Sequence, residues 1–88
     1  MRKRSNKPIM KKAFKHNDEY YYNIIRENIR KYRKVKNLTQ QDLADMTELS
    51  RKYICDIENT SRDKHPTVAV IGRIAEALNI DIGELFKR

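Results

Sequence analysis

From residue 19 onward, apolar residues recur at helical spacing, and no stretch alternates apolar and polar residues as a half-buried strand would. Ile25, Ile29 and Tyr32 lie at i, i+4 and i+7, which puts one apolar stripe on a first helix predicted from Glu19 to Val35. Lys36 and Asn37 close that helix, and Leu38 is expected to drop into the core. Thr39, with Asp42 three residues on, has the form of a capping box. It opens a second helix that turns Leu43 and Ala44 inward and ends near Met46, followed by a three-residue connection of Thr47, Glu48 and Leu49. Ser50 then caps a third helix running to about Asn59, with Ile54 and Ile57 inward. After a polar loop over 60–65, Pro66 and Thr67 begin a fourth helix whose buried face carries Val68, Ile71, Ile74, Ala75 and Leu78. Asn79 ends it, Asp81 caps a short fifth helix, and Leu85 and Phe86 pack back. The fold class is therefore all-α.

Length and charge narrow the picture. Eighty-eight residues with 39% hydrophobic content support one small domain, too small for an elaborate catalytic cleft. The net charge of +8 points to a polyanionic partner, nucleic acid or anionic lipid. That charge is unevenly spread: residues 1–17 hold seven Lys or Arg and no acid, whereas 18–88 hold thirteen bases and twelve acids. The first segment has few sizeable apolar residues and cannot bury enough surface to offset the entropy of ordering, so it is expected to be a flexible basic arm preceding an 18–88 domain. No apolar run is long enough to span a bilayer or to follow the basic start as a secretory signal, so a cytoplasmic protein without membrane contact is expected. Cys55 is the single cysteine, which excludes an internal disulfide and a multi-cysteine zinc site. No nucleophile–base pair, phosphate loop or metal cluster is visible, so the chain is expected to be no enzyme and to need no cofactor or metal.

Two short helices joined by a three-residue turn, the second polar and basic at its start, describe a helix-turn-helix. In such a pair the first helix braces across the DNA backbone and the second projects its N-terminal side chains into the major groove. At 100° per residue, Ser50, Ile54, Ile57 and Glu58 cluster on the inner side of the third helix, while Lys52, Asp56 and Asn59 face outward. Arg51 and Cys55 fall on one flank and Tyr53 on the other.

The run Leu38-Thr39-Gln40-Gln41-Asp42-Leu43-Ala44, with Leu49-Ser50-Arg51-Lys52-Tyr53-Ile54-Cys55-Asp56-Ile57-Glu58-Asn59, resembles the lambda-repressor-like, Cro/CI-type (XRE) helix-turn-helix family. Pro66-Thr67, Ile74-Ala75-Glu76-Ala77-Leu78-Asn79-Ile80 and Glu84-Leu85 match the family's closing helices. The resemblance implies a five-helix DNA-binding domain. It also implies that Gln40, beside Gln41 at the start of the second helix, touches phosphate and steadies the first recognition side chain. Arg51, Lys52 and Asp56 match positions that read bases or adjacent phosphates, and Arg33 matches a basic residue that pairs with Glu58. Asn59 and Thr60 match a turn whose backbone approaches phosphate. Two positions depart from the pattern: Glu48 and Thr60 stand where glycine is usual, and the loop to Pro66 is longer than the family's.

Side-chain chemistry assigns roles within that frame. Arg51 can donate two hydrogen bonds to a guanine edge, and Lys52 suits phosphate. Asp56 would be repelled by phosphates unless it accepts from cytosine or orients Arg51 or Lys52. Ser50 is mainly a cap whose hydroxyl also reaches toward phosphate; Tyr53 either leans on the sugar-phosphate wall or covers the core edge. The Tyr20-Tyr21-Tyr22 run is expected to pack one or two rings on the core rather than stack on bases. The function expected is a sequence-specific transcriptional regulator, a repressor, reading the major groove of a double-stranded DNA operator with the helix from about Ser50 to Asn59. A homodimer on a two-fold symmetric site is expected, its interface around Ile80, Ile82, Leu85 and Phe86. The alternatives are an antitoxin that binds a toxin and regulates its own operon, or a sequence-independent nucleic-acid-binding or membrane-surface module driven by the arm.

Overall fold

The computed structural model describes residues 14–62 and 64–88. Most of the expected basic arm, residues 1–13, lies outside the described residues. Four α-helices follow in order, α1 (Asp18–Val35), α2 (Gln40–Thr47), α3 (Arg51–Glu58) and α4 (Val68–Leu78), closed by a 3₁₀ turn, Ile82–Phe86. The last element is thus a tight turn rather than a fifth α-helix.

Each α-helix starts at a polar side chain that satisfies an otherwise orphaned backbone N–H. Asn17 accepts from Tyr20 at 3.0 Å, Thr39 from Asp42, Ser50 from Tyr53, and Thr67 from Val70. At Thr39 the box is reciprocal, since the Asp42 carboxylate accepts the Thr39 N–H at 2.9 Å. That hydrogen bond from the Thr39 backbone holds the Asp42 carboxyl below its ordinary value of 3.8. α4 begins at Val68, one residue after its Thr67 cap, and Pro66 lies outside it, buried. Asp81 makes no side-chain cap, contrary to the sequence expectation; its carbonyl accepts from Glu84 instead.

Two of the helices, α2 and α4, end by turning left-handed. Glu48 after α2 has φ 60°, and Asn79 after α4 has φ 57°; the cap N–H of each returns to the preceding turn. Asn37, in the turn between α1 and α2, has φ 61°. The helix-turn-helix thus accepts a left-handed glutamate where glycine would fit without strain. α2 runs one residue beyond Met46 to Thr47, whose buried hydroxyl donates to the Leu43 and Ala44 carbonyls.

The core gathers Ile25 and Ile29 of α1, Leu43 and Ala44 of α2, Ile54 and Ile57 of α3, Ile71, Ile74, Ala75 and Leu78 of α4, and Leu85. Leu38, Tyr22, Tyr32 and Tyr53 pack on its edge. Two expected core positions are corrected. Val68, the first residue of α4 and at the edge of its apolar stripe, is 71% exposed. Phe86 is 49% exposed at the outer rim of the last turn, where Leu85 alone points in. Among the described residues, no helix is long and apolar enough to cross a membrane.

Candidate nucleic-acid interface

Helix α3 is short, eight residues, and only one side of it is buried, so its other side is available to a partner. Ile54, Ile57 and Glu58 are buried; Arg51 and Lys52, in its first turn, are exposed. The Ser50 hydroxyl is engaged as the cap, 3.0 Å from the Tyr53 N–H. Arg51 therefore occupies the first helical position with its guanidinium at the surface, where a groove-bound helix meets base edges.

Asp56, expected to face outward, has a side chain that is only 14% exposed, because it is covered by the cations it pairs with. Its carboxylate lies 3.2 Å from Lys52 Nζ and 3.7 Å from Arg62 Nε. The structure thus pairs Asp56 with Lys52 rather than with Arg51 and adds a cation, Arg62 from the following loop, that the sequence reading missed. A carboxylate flanked by two cations no longer repels phosphate as an isolated one would.

The lower end of α3 is held by α1. Arg33 donates through Nε to Glu58 Oε2 at 2.8 Å and through Nη2 to Oε1 at 3.0 Å. Its third nitrogen, Nη1, donates to the Leu38 carbonyl at 2.7 Å, which also ties the α1–α2 turn. Gln40 joins from α2, donating to Glu58 Oε1 at 3.2 Å. Gln41 instead lies on the solvent side and donates to Asp45 at 2.8 Å. Asn59 is the C-cap residue of α3, and its side-chain oxygen accepts from both the amide and the hydroxyl of Ser61.

Tyr53 is half-buried against the core edge, with Lys64 Nζ 5.6 Å from its ring centre. Burial pushes its phenol pKa up, so it stays neutral near physiological pH. The three-tyrosine run divides: Tyr22 packs on the core and stacks on His65, Tyr20 stacks on His16, and Tyr21 faces solvent. Leu85 is fully buried within the protomer, so it cannot contribute to a dimer surface; Ile82 and Phe86 are exposed and Ile80 half-buried.

Sequence reasoning missed further residues. Arg30 and Lys34, together with Glu27, border a groove that runs from α1 past the paired Arg33 and Glu58 to Gln40, Cys55, Asn59 and Thr60, so its lining is only slightly positive. Arg73, exposed on α4, donates to the Thr47 carbonyl at 3.0 Å and caps α2 from below. Arg26 is 1% exposed and donates to carbonyls at the end of α3. Its spacing from Ile29 and Arg33, at i+3 and i+7, places it on the buried stripe and was the available clue.

These features define a small DNA-binding domain. A family model described as helix-turn-helix matches residues 29–85, and the chain belongs to that family. Control protein C.SmaI of Serratia marcescens is 35% identical over 65 residues, covering 74% of this chain and 75% of that protein. The immunity repressor protein of Bacillus phage phi105 is 36% identical over 62 residues, covering 69% of this chain but 41% of the repressor. Among solved structures, the restriction-modification controller protein C.AhdI from Aeromonas hydrophila matches with a TM-score of 0.68 at 29% identity, covering 74% of this chain and 96% of that one. The chain is a DNA-binding transcriptional regulator of the helix-turn-helix class.

Proposed function

We propose that this protein is a cytoplasmic repressor that binds a two-fold symmetric operator as a homodimer and reads the major groove with α3. The observation that carries the reading is the division of labour along α3. Arg51 and Lys52 stand exposed at its N-terminal turn, while Glu58 at its C-terminal end is locked into α1 by Arg33. A helix held at one end and polar at the other can insert without tilting. Arg51 contacts a guanine edge, and Lys52, oriented by Asp56, meets phosphate or an adjacent base. Gln40, Gln41, Ser50, Tyr53 and Asn59 line the approach, and Arg30 and Lys34 extend it along the backbone.

One α3 spans only a few base pairs, so two copies about one helical turn apart supply the needed specificity. The exposed pair Ile82 and Phe86, beside half-buried Ile80, gives a second copy an apolar surface to cover. The likeness to C.AhdI, a restriction-modification controller protein, supports control of restriction-modification genes, and the likeness to the phage immunity repressor supports negative control. In-vitro selection from random duplexes tests the reading: a two-fold symmetric consensus is expected, and enrichment of no sequence would refute it. Light scattering with that duplex is expected to give two protomers per site; one protomer at saturation would refute the dimer.

A further inference from the structure

A wholly buried arginine is costly unless its donors find partners, and one Arg26 nitrogen, Nη1, finds two acceptors on another helix. Its Nη1 donates to the carbonyls of Asp56 at 3.3 Å and Ile57 at 3.2 Å. These belong to the last turn of α3, where the helix dipole favours a cation; the Ile57 carbonyl is thereby given a partner, and the Asp56 carbonyl also accepts the Asn59 N–H at 3.3 Å. Nη2 lies 3.5 Å from Glu19 Oε1, and neither Nε nor Nη2 makes a hydrogen bond. Glu19 also bonds His65, on the loop that leaves α3. Arg26 is thus held by a carboxylate on its own helix and spends its one doubly bonded nitrogen on the main chain of α3.

Arg26 and Arg33 lie seven residues apart on the buried stripe of α1, and both grip the same end of α3. Arg33 does so through the Glu58 side chain, Arg26 through the backbone. The gripped residue matters: Asp56, whose carbonyl Arg26 holds, is the one whose carboxylate orients Lys52 and Arg62. We infer that Arg26 is a positioning residue for DNA reading. It fixes the height and roll of the last turn of α3 relative to α1, and through Asp56 the two cations offered to DNA. The inference rests on α3 being the reading helix.

The test compares Arg26→Met and Arg26→Lys with Thr67→Ala, a variant that loses the α4 cap and leaves α3 untouched. All are assayed at a temperature where circular dichroism shows each fully folded. Arg26→Met is expected to lose roughly tenfold in affinity for the selected operator, with a smaller preference over random duplex. Arg26→Lys, able to reach a single carbonyl, is expected to fall between it and wild type, and Thr67→Ala is expected to bind as wild type. Wild-type affinity and preference in folded Arg26→Met overturns the inference. Should Arg26→Met not fold, unchanged affinity in Arg26→Lys overturns it. Amide exchange in Arg26→Lys without DNA separates this inference from the functional reading. Faster exchange confined to Ile54–Glu58 supports the grip even if no operator is found, whereas uniform change across α1–α4 refutes it.

Discussion

At the residue scale, Arg33 and Glu58 form the buried ion pair that ties α3 to α1. Both are nearly buried, and the carboxylate accepts from Arg33 twice and from Gln40 once. Such a pair is weakly stabilising as a whole, because desolvation offsets the attraction, yet breaking it strands a charge. Glu58→Ala is therefore expected to cost about 3–5 kcal/mol in urea unfolding. Replacing both by Arg33→Met and Glu58→Leu is expected to cost much less than that, and a double variant as unstable as the single one would contradict the account. The resemblance pointed to this pair; Arg26 had no such pointer. Its spacing placed Arg26 on the buried stripe, but only the end of α3 arriving over it supplies the carbonyls that let a guanidinium stay there. Arg62 was missed for the same reason, since it lies on a loop without periodicity and reaches Asp56 only once α3 has turned.

At the scale of elements, caps and apolar periods located the helices to within about a residue, because each start depends on a local hydrogen bond between neighbours in sequence. What periodicity could not show was depth. Val68 and Leu78 open and close the same stripe, yet Val68 is largely exposed and Leu78 is buried. Likewise Leu85 and Phe86 are adjacent, and a five-residue 3₁₀ turn is too short to bury both. Turn chemistry makes a direct prediction. Glu48 holds φ 60°, a conformation that costs an L-residue about 1–2 kcal/mol. Glu48→Gly removes that strain but loosens the unfolded chain, so a net gain of about 0.5–1 kcal/mol is expected in denaturant titration. Glu48→Val, β-branched, is expected to lose stability. The reverse order would show that the turn bends differently.

At the scale of the whole molecule, charge sets how stability and binding respond to solution conditions. Among the described residues, three carboxyls are held below their ordinary values: Glu19 chiefly by the His65 hydrogen bond, Asp42 by the Thr39 amide, and Glu84 by Lys87 and then Tyr32. A carboxyl depressed in the fold stabilises fully above its unfolded value and loses that contribution as pH falls through its folded value. The thermal midpoint is therefore expected to fall as pH drops below 4.5, the ordinary value of Glu19 and Glu84. Combining Glu19→Gln, Asp42→Asn and Glu84→Gln should flatten that fall; an unchanged slope would place the acid sensitivity elsewhere.

Binding responds to a different set of charges. Residues 1–17 carry seven bases, whereas 18–88 are nearly balanced. Deleting 1–17 is expected to weaken binding and shallow its salt dependence through lost counterion release, while the operator preference survives. Loss of all preference would move recognition to the arm. If α3 reads bases through Arg51, parallel in-vitro selection with wild type and Arg51→Ala will show it. The Arg51→Ala consensus is expected to lose discrimination at one position in each half-site and keep the others. Uniform weakening with an unchanged consensus would contradict that reading.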